Sequence, residues 1–172
     1  MIDKIEILKE DITKIECDAI VNAANKYLQE GGGVCGAIFK AAGSKELQAE
    51  CDLIGGCKTG SAVITNGYKL KAKYVIHAVG PIYRDDSSAV YLESVYKSII
   101  ELAEKYKLES IAIPSISTGI YGYPVHKAVK IAFKAISNSN SLYLKKIYLV
   151  CFDSNTFDLY KMELNKYKYG VF

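Results

Sequence analysis

The sequence has no hydrophobic run near the length that a transmembrane helix requires. Such a helix needs about 20 predominantly apolar residues, whereas the apolar stretches here are short and interrupted by charged residues. Residues 1–4 (Met-Ile-Asp-Lys) begin a strand-like alternation rather than a signal peptide. Membrane and secreted proteins are therefore both disfavoured, and we expect a cytoplasmic protein with no membrane partner.

Close cysteine pairs and histidines are also scarce. The chain has five cysteines, at Cys17, Cys35, Cys51, Cys57 and Cys151. None forms a Cys-x-x-Cys pair, and only His77 and His126 could join them as nitrogen ligands of a metal. This pattern is typical of reduced thiols in a cytosolic protein. A chain of this size buries about 70% of the surface of its unfolded form, so we expect no structural metal, no disulfide and no cofactor.

Neither sign of charge dominates. The 22 basic and 19 acidic residues give a formal net charge of +3, which does not repel an anionic ligand. The chain lacks the basic stripe that is typical of nucleic-acid-binding proteins. Half of the residues are hydrophobic, and together with the length this predicts one domain over residues 1–172. No long apolar stripe remains once a core is assigned, so we expect a monomer.

Short apolar strands alternate with helical patterns along the chain. Strand patterns occupy residues 2–8, 19–21, 62–65, 74–79, 111–113 and 146–152. Helical patterns occupy residues 34–42, 87–106, 124–136 and 155–168. Ser87 is a candidate N-cap, and Asn66-Gly67 indicates a turn that fits a hairpin. The alternation predicts a layered α/β domain with a mixed, mainly parallel sheet.

Two glycine-containing loops follow predicted strands, at residues 31–34 (Gly-Gly-Gly-Val) and 117–122 (Ser-Thr-Gly-Ile-Tyr-Gly). Ligands of α/β sheets bind beyond the carboxyl ends of the strands, and glycine lets backbone amides approach a ligand closely. Two such loops at one edge fit a diphosphate better than a monophosphate. Neither loop contains the signature of a phosphate-loop ATPase or of a dinucleotide-binding dehydrogenase. A strained connector remains the alternative for the glycine run.

A series of short segments, in this order along the chain, resembles the macrodomain family and most closely its MacroD-type branch. The segments are Asp11-Ile12-Thr13, residues 18–25 (Asp-Ala-Ile-Val-Asn-Ala-Ala-Asn), Gly31-Gly32-Gly33-Val34, Gly36-Ala37-Ile38, Gly60, Gly67-Tyr68, His77-Ala78-Val79-Gly80-Pro81 and residues 114–124. The resemblance extends over nearly the whole chain. It implies an α/β fold, a three-layer α/β/α sandwich with a mixed central sheet, which binds ADP-ribose at the strand ends.

The resemblance also implies roles at the adenosine end of that ligand. Asp11 would accept a hydrogen bond from the exocyclic amine of adenine, with the backbone of Ile12 beside it. Phe152 would stack on the adenine ring. Taken alone, Asp11 also fits a helix N-cap, and Phe152 also fits a core residue.

The glycine loops would hold the diphosphate, and Asn25 would bind the distal ribose. The predicted diphosphate residues are Gly32, Gly33 and Val34 on one side and Ser117, Thr118, Gly119, Ile120 and Tyr121 on the other. Tyr121 would close over the distal ribose, and Asn25 would orient the bond to be cut. Asn22 belongs to the same predicted set, with bracing the loop as its favoured role, and His77 is expected to be structural.

The chain departs from the MacroD-type branch at Cys35, where that branch typically has an aspartate proposed to activate water. Phe39 likewise replaces a histidine, and Glu10 replaces a glycine. A thiol has a pKa of about 8.5 and is a poor base at neutral pH, unless a helix N-terminus lowers that pKa. Asn25 and Cys35 are the candidate catalytic residues.

The implied activity is hydrolysis of ADP-ribosyl esters of acidic side chains, or deacetylation of O-acetyl-ADP-ribose. The partners would then be ADP-ribose, O-acetyl-ADP-ribose or ADP-ribosylated proteins. A non-catalytic ADP-ribose reader is the alternative, because Cys35 replaces the usual acid. Removal of the phosphate from ADP-ribose 1″-phosphate stays open, as does binding of a polymer or of nucleic acid, which the mild charge does not favour.

Overall fold

A computed structural model describes residues 1–170 as a central sheet covered by helices on both faces. In that range the strands are β1 (Ile5–Lys9), β2 (Ala19–Ala23), β3 (Ala62–Asn66), β4 (Tyr74–Ala78), β5 (Ser110–Pro114) and β6 (Lys146–Cys151). The α-helices are α1 (Gly33–Ala42), α2 (Ser44–Ile54), α3 (Ala89–Lys105), α4 (Val125–Ser137) and α5 (Ser154–Tyr169).

The strand order of the sheet is β1-β6-β5-β2-β4-β3. Neighbouring strands are parallel except β3 and β4, which are antiparallel. Because parallel strands have their carboxyl ends at the same edge of a sheet, the segments that follow β1, β2, β4, β5 and β6 all leave from one edge. The predicted mixed, mainly parallel sheet is therefore confirmed, and so is the antiparallel pairing suggested by Asn66-Gly67.

Two hydrophobic clusters lie on opposite faces of the sheet. Helices α1 and α2 contribute residues such as Phe39 and Leu47 to one cluster, whereas α3, α4 and α5 contribute to the other, which includes Tyr160. Strand β2 alternates between them, with Val21 in the second cluster and Ile20 in the first. Both faces of β2 are buried, which explains its continuous apolar run. The three-layer α/β/α sandwich is confirmed.

The structure corrects three local expectations. Ser87 is not the N-cap of α3, because Asp85 caps a 3₁₀ turn there by accepting a hydrogen bond from the Ser87 N–H at 2.8 Å, and the helix begins at Ala89. Residues Ile2–Lys4 form a 3₁₀ turn, so the first strand begins at Ile5. Helix α2 is absent from the predicted elements.

All five cysteines are free thiols in the structure. Within residues 1–170, no group of three or more His, Cys, Asp or Glu side chains is arranged to hold a metal ion. No helix in the described part of the chain has the length and apolar character to cross a bilayer.

Candidate functional site

Both glycine loops leave the carboxyl edge of the sheet, as the sequence predicts. The first follows β2 and the second follows β5, and these two strands pair directly. Asp11 follows β1 and Phe152 follows β6, which are also a parallel pair. The predicted site residues therefore lie along one edge, in the order of the strands that precede them.

The first loop presents unpaired backbone amides at the start of α1. Gly32 occupies the N-cap position without a side-chain cap, and the Gly36 N–H is bonded to the Gly32 carbonyl at 3.2 Å. Among the described residues, the N–H groups of residues 31–35 donate to no protein acceptor. The N-terminus of an α-helix also carries an effective charge of about +0.5, so this loop is suited to bind an anion.

The second loop turns its hydroxyl groups inward and leaves its backbone amides free. Ser117 is in the left-handed region (φ 66°), and its buried Oγ has no hydrogen-bond partner within residues 1–170. The Thr118 hydroxyl donates to the Ser115 carbonyl at 2.9 Å. The N–H groups of residues 117–121 donate to no acceptor in the part of the chain that is described. The backbone amides of Ser117 and Thr118, rather than their hydroxyl groups, are thus free to meet an anion, and the diphosphate role stays a prediction.

Residues outside the predicted site hold the second loop in place. The Tyr83 N–H donates to the Tyr121 carbonyl at 2.9 Å, and the Tyr160 hydroxyl contacts Ser115 Oγ at 3.2 Å. Gly80 packs against the loop so closely that a Cβ atom there would lie 2.3 Å from Ser117 Oγ. Gly80 is part of the family-like segment 77–81, but the sequence does not indicate that it contacts a loop 37 residues further on.

Asp11 has one hydrogen-bonding role that the structure settles. Its Oδ1 accepts hydrogen bonds from Thr13 Oγ1 at 2.7 Å and from Thr13 N at 3.0 Å, which caps the 3₁₀ turn Ile12–Lys14. These bonds, that of the Thr13 hydroxyl above all, hold the pKa of Asp11 below its usual value. The N-cap alternative is therefore confirmed, while the contact with adenine stays a prediction.

Phe152 is not a core residue, because 87% of its side chain is exposed at the end of β6. An exposed phenylalanine costs hydrophobic free energy that an apolar or aromatic ligand would recover. The alternative that placed Phe152 in the core is wrong. Ile120, another predicted ligand contact, is 94% exposed, whereas the Ile12 side chain is buried in the core and leaves only its backbone for a ligand.

The Asn25 carboxamide organises the segment before the glycine run. Its Oδ1 accepts hydrogen bonds from Tyr27 N at 3.1 Å and from Gln29 N at 3.2 Å, and its Nδ2 donates to the Gln29 carbonyl at 2.9 Å. The Leu28 N–H also donates to the Asn25 carbonyl. Asn25 therefore determines the shape of its own loop, and one of its two Nδ2 hydrogens remains available.

Asn22 joins the first turn of α1 to strand β4. Its Nδ2 lies 3.1 Å from His77 Nδ1 and donates to Cys35 Sγ at 3.7 Å. His77 Nε2 lies 2.9 Å from Thr65 Oγ1, so a neutral ring with its hydrogen on Nε2 satisfies both contacts. Burial lowers the pKa of His77 to about 4, which keeps the ring neutral. The structural role predicted for His77 is confirmed, and the position of Asn22 fits the bracing role.

Cys35 is a protonated thiol in this setting. Its Sγ donates to the Gln29 carbonyl at 3.7 Å and accepts from Asn22, and only 7% of the residue is exposed. Burial raises the pKa of Cys35 above its usual value. The lowered pKa that a helix N-terminus could give is therefore not found here, because the loss of hydration on burial outweighs the hydrogen bonds that would stabilise a thiolate.

Comparison with known proteins gives one consistent result. The Macro domain family model matches residues 21–132. The O-acetyl-ADP-ribose deacetylase of Salmonella gallinarum is 46% identical over 168 residues, which cover 93% of each chain.

Solved structures agree with the sequence comparison. The Oceanobacillus iheyensis macrodomain with ADP has a TM-score of 0.91 and 37% identity, covering 99% of this chain and 96% of that one. The Trypanosoma brucei macrodomain in complex with ADP-ribose has a TM-score of 0.85 and 38% identity, covering 94% of this chain and 69% of that one. The chain therefore belongs to the macrodomain family.

Proposed function

We propose that the protein binds ADP-ribose along the carboxyl edge of its sheet and hydrolyses an ester on the distal ribose. The observation that carries the proposal is the pair of adjacent loops whose backbone N–H groups, over residues 31–35 and 117–121, donate to no protein acceptor within residues 1–170. A diphosphate offers acceptor oxygens to both loops at once. The similarity to a protein named O-acetyl-ADP-ribose deacetylase supports the proposal, as do similar structures that hold ADP or ADP-ribose.

Asp11 and Phe152 would recognise the adenosine end. Because β1 and β6 are neighbours, the two residues lie at adjacent strand ends. A carboxylate has about four acceptor sites, so Asp11 can cap its turn and still accept a hydrogen bond from the adenine amine. Phe152 offers an exposed ring for stacking, a contact worth about 1–3 kcal/mol per base.

Asn25 and Tyr121 would fix the distal ribose. The Asn25 side chain is already held by three hydrogen bonds to its own loop, so its remaining N–H points in a fixed direction. A fixed donor costs little conformational entropy when it binds a ribose oxygen. Tyr121 lies in the second loop, and Tyr83 holds its backbone. This arrangement would orient the ester relative to the bound diphosphate.

Catalysis would depend on positioning rather than on a strong general base. The buried Cys35 thiol stays protonated at neutral pH and accepts protons poorly. Water oriented by the bound diphosphate would cleave the ester, releasing ADP-ribose and a carboxylic acid. That acid is acetic acid from O-acetyl-ADP-ribose or an acidic side chain from a modified protein. Correct placement of two reactants alone can supply about 7–11 kcal/mol of the barrier.

A non-catalytic reader of ADP-ribose is the second candidate, and the neutral thiol of Cys35 is the observation that favours it. Release of ADP-ribose from a modified protein, or of acetate from O-acetyl-ADP-ribose, well above the buffer rate would exclude the reader. Calorimetric titration with ADP-ribose that shows no saturation at millimolar concentration would exclude both candidates.

Two substitutions of Asn25 test the proposed catalytic arrangement. Asn25→Asp keeps the acceptor for the Tyr27 and Gln29 N–H groups but removes the Nδ2 donor, whereas Asn25→Ala removes both. Turnover of O-acetyl-ADP-ribose should fall much further than ADP-ribose affinity in both variants. Turnover equal to that of the wild type in Asn25→Asp would remove the amide donor from the mechanism.

A further pair of substitutions asks whether the missing acid limits the rate. Cys35→Asp places a carboxylate within reach of the Asn22 amide, and Cys35→Ser is the matched control without a charge. If proton removal from water limits turnover, Cys35→Asp should be faster than both wild type and Cys35→Ser. Equal rates in the three proteins would mean that water is positioned but that its deprotonation is not limiting.

A further inference from the structure

We propose that Gln48, on helix α2 and outside the predicted ligand contacts, is a positioning residue that sets the orientation of Asn25. The inference rests on the proposed function, because it concerns the residue expected to hold the distal ribose. It is carried by hydrogen bonds on both edges of residues 28–30, the segment between Asn25 and the glycine run.

One edge of this segment pairs with Asn25. The Gln29 N–H donates to Asn25 Oδ1 at 3.2 Å, and Asn25 Nδ2 donates to the Gln29 carbonyl at 2.9 Å. The carboxamide thus makes a cyclic pair with the two backbone groups of one residue. Any movement of the Gln29 backbone would change the direction of the Asn25 side chain.

The opposite edge pairs with Gln48 in the same way. Gln48 Nε2 donates to the Leu28 carbonyl at 3.0 Å, and Gln48 Oε1 accepts from the Glu30 N–H at 2.9 Å. The Leu28 carbonyl and the Glu30 N–H thus face Gln48, whereas both backbone groups of Gln29 face Asn25. Two side-chain carboxamides therefore hold the same three residues from opposite edges.

Gln48 is itself fixed by a polar stripe on α2. Ser44, Gln48 and Asp52 are spaced four residues apart, which places them on one face of the helix. Gln48 Nε2 lies 2.9 Å from Asp52 Oδ1, which also accepts from Gln29 Nε2 at 3.2 Å, and the Ser44 hydroxyl donates to Glu30. Helix α2 therefore presents hydrogen-bonding groups to the segment over three of its turns.

The segment needs these bonds because it contains a strained residue. Leu28 has a φ of 56°, in the left-handed region that side chains other than glycine rarely adopt, although its own side chain is 1% exposed. Its carbonyl is the group that accepts from Gln48. Without Gln48, Leu28 can relax, the Gln29 backbone shifts, and Asn25 loses two of its partners.

The test uses Gln48→Met, which has similar length but lacks both hydrogen-bonding groups. Lys45→Ala, on the exposed side of the same helix, is the control. A displacement of about 1 Å can cost about a hundredfold in rate, so we expect kcat for O-acetyl-ADP-ribose to fall roughly tenfold to a hundredfold in Gln48→Met. The dissociation constant for ADP-ribose should change less than about threefold, because the amides of both loops and Phe152 remain. Unchanged kcat would overturn the inference.

A double substitution separates positioning from a general loss of structure. If Gln48 acts through Asn25, Gln48→Met should cost nothing further in an Asn25→Ala background. Independent, additive losses would overturn the inference. Should Gln48→Met not fold, Gln48→Glu replaces it. Glu keeps the acceptor for the Glu30 N–H, but it loses the donor to Leu28 and faces the Asp52 carboxylate, so kcat should again fall.

Hydrogen exchange of the ligand-free protein gives a readout that does not depend on activity. Protection of the Glu30 amide should fall in Gln48→Met, while that of the β2 and β5 amides stays unchanged. If the Glu30 amide stays protected, Gln48 does not hold residues 28–30, even if the enzyme is active. A wild-type protein that neither binds ADP-ribose nor turns over its esters would refute the proposed function. Even then, loss of Glu30 protection in Gln48→Met would still show that Gln48 holds residues 28–30.

Discussion

Replacing Gly80 by alanine tests whether the second loop has a fixed position. A Cβ atom at residue 80 would lie 2.3 Å from Ser117 Oγ and 2.6 Å from Ile116 Cγ2. Non-bonded carbon contacts are most favourable at about 3.5–4.0 Å, so the loop or the end of β4 must move by roughly 1 Å. Ser117 and Ile116 are 5% and 1% exposed, so neither side chain can turn into solvent to make room.

The expected cost follows from the overpacking of a buried contact. Insertion of a methyl group into a close-packed site typically costs about 1–3 kcal/mol. For a domain of this size, that corresponds to a decrease in melting temperature of roughly 2–12 °C. The displaced amides of residues 117–121 would each lose part of a hydrogen bond to the diphosphate, worth about 1.5–3 kcal/mol when complete. ADP-ribose affinity should therefore fall about tenfold or more.

Ser117→Gly provides the matched rescue. It removes the nearer of the two contacts with the new methyl group, together with a buried hydroxyl that lacks a partner within residues 1–170. It also places glycine at a φ of 66°, where relief of about 1–2 kcal/mol of left-handed strain outweighs an entropy cost of about 0.5–1 kcal/mol. The single variant should be as stable as the wild type or more stable. It should restore Gly80→Ala only partly, because Ile116 still contacts the methyl group.

The measurements are thermal denaturation and calorimetric titration with ADP-ribose on the two single variants and the double variant. They show whether the second loop has a fixed position. The coupling free energy from the double-mutant cycle should be about 0.5–3 kcal/mol. If Gly80→Ala has the melting temperature and the ADP-ribose affinity of the wild type, the second loop moves freely. That result would refute the claim that its position is fixed.

Three further predictions concern stability and the adenosine end. Burial lowers the pKa of His77 to about 4, whereas an unfolded histidine titrates at about 6.5. As the pH falls through this window the unfolded chain binds the proton first, so the free energy of unfolding should drop by about 3 kcal/mol. Urea denaturation of His77→Gln at several pH values should not show this decrease. Phe152→Ala should leave the melting temperature unchanged, because the side chain is 87% exposed, yet weaken ADP-ribose binding about 5- to 150-fold by calorimetry; equal affinity would remove the ring from the site. Asp153 caps α5 by accepting from the Thr156 N–H at 2.8 Å, so Asp153→Ala should cost about 1 kcal/mol in denaturant titrations, with Asp153→Asn as the conservative control.

The layered fold could be predicted because its strands bury both faces. Strand β2 has Ile20 on one face of the sheet and Val21 on the other, which produces the apolar run that indicates a central strand. Helices α3 and α4 pack one apolar stripe on the sheet, so their periodicity is plain. Exact ends were harder to predict, because caps such as Asp85 depend on side-chain geometry.

Helix α2 could not be predicted from apolar periodicity. Of its eleven residues only Leu47 and Cys51 are buried. Two buried residues four apart are too few to produce a recognisable apolar stripe. The polar row beside it, which includes Gln48, makes hydrogen bonds to residues 28–30. In a sequence, polar residues that make hydrogen bonds within the protein cannot be distinguished from polar residues that face solvent.

The local parts of the candidate site were predictable, whereas their supports were not. The two glycine loops are recognisable from their own residues, whereas the roles of Asp11 and Asn25 come from the resemblance to the macrodomain family and stay predictions. Gly80 and Tyr83 act on the second loop from a different part of the chain, and no spacing rule connects them. Cys35 shows a further limit, since the sequence leaves the direction of its pKa shift open, whereas its burial in the folded protein raises that pKa.

The second loop shows why residue type can mislead about contacts. Hydroxyl side chains beside glycines suggest direct bonds to phosphate, yet Thr118 donates to Ser115 and the Ser117 hydroxyl is buried against Gly80. Their placement fixes the backbone, and the backbone then presents consecutive N–H groups. Substitutions in this loop should therefore affect ligand affinity according to how far they move the main chain, not according to how many hydroxyl groups they remove. Ser117→Gly and Gly80→Ala, which change the same contact in opposite directions, separate these two possibilities directly.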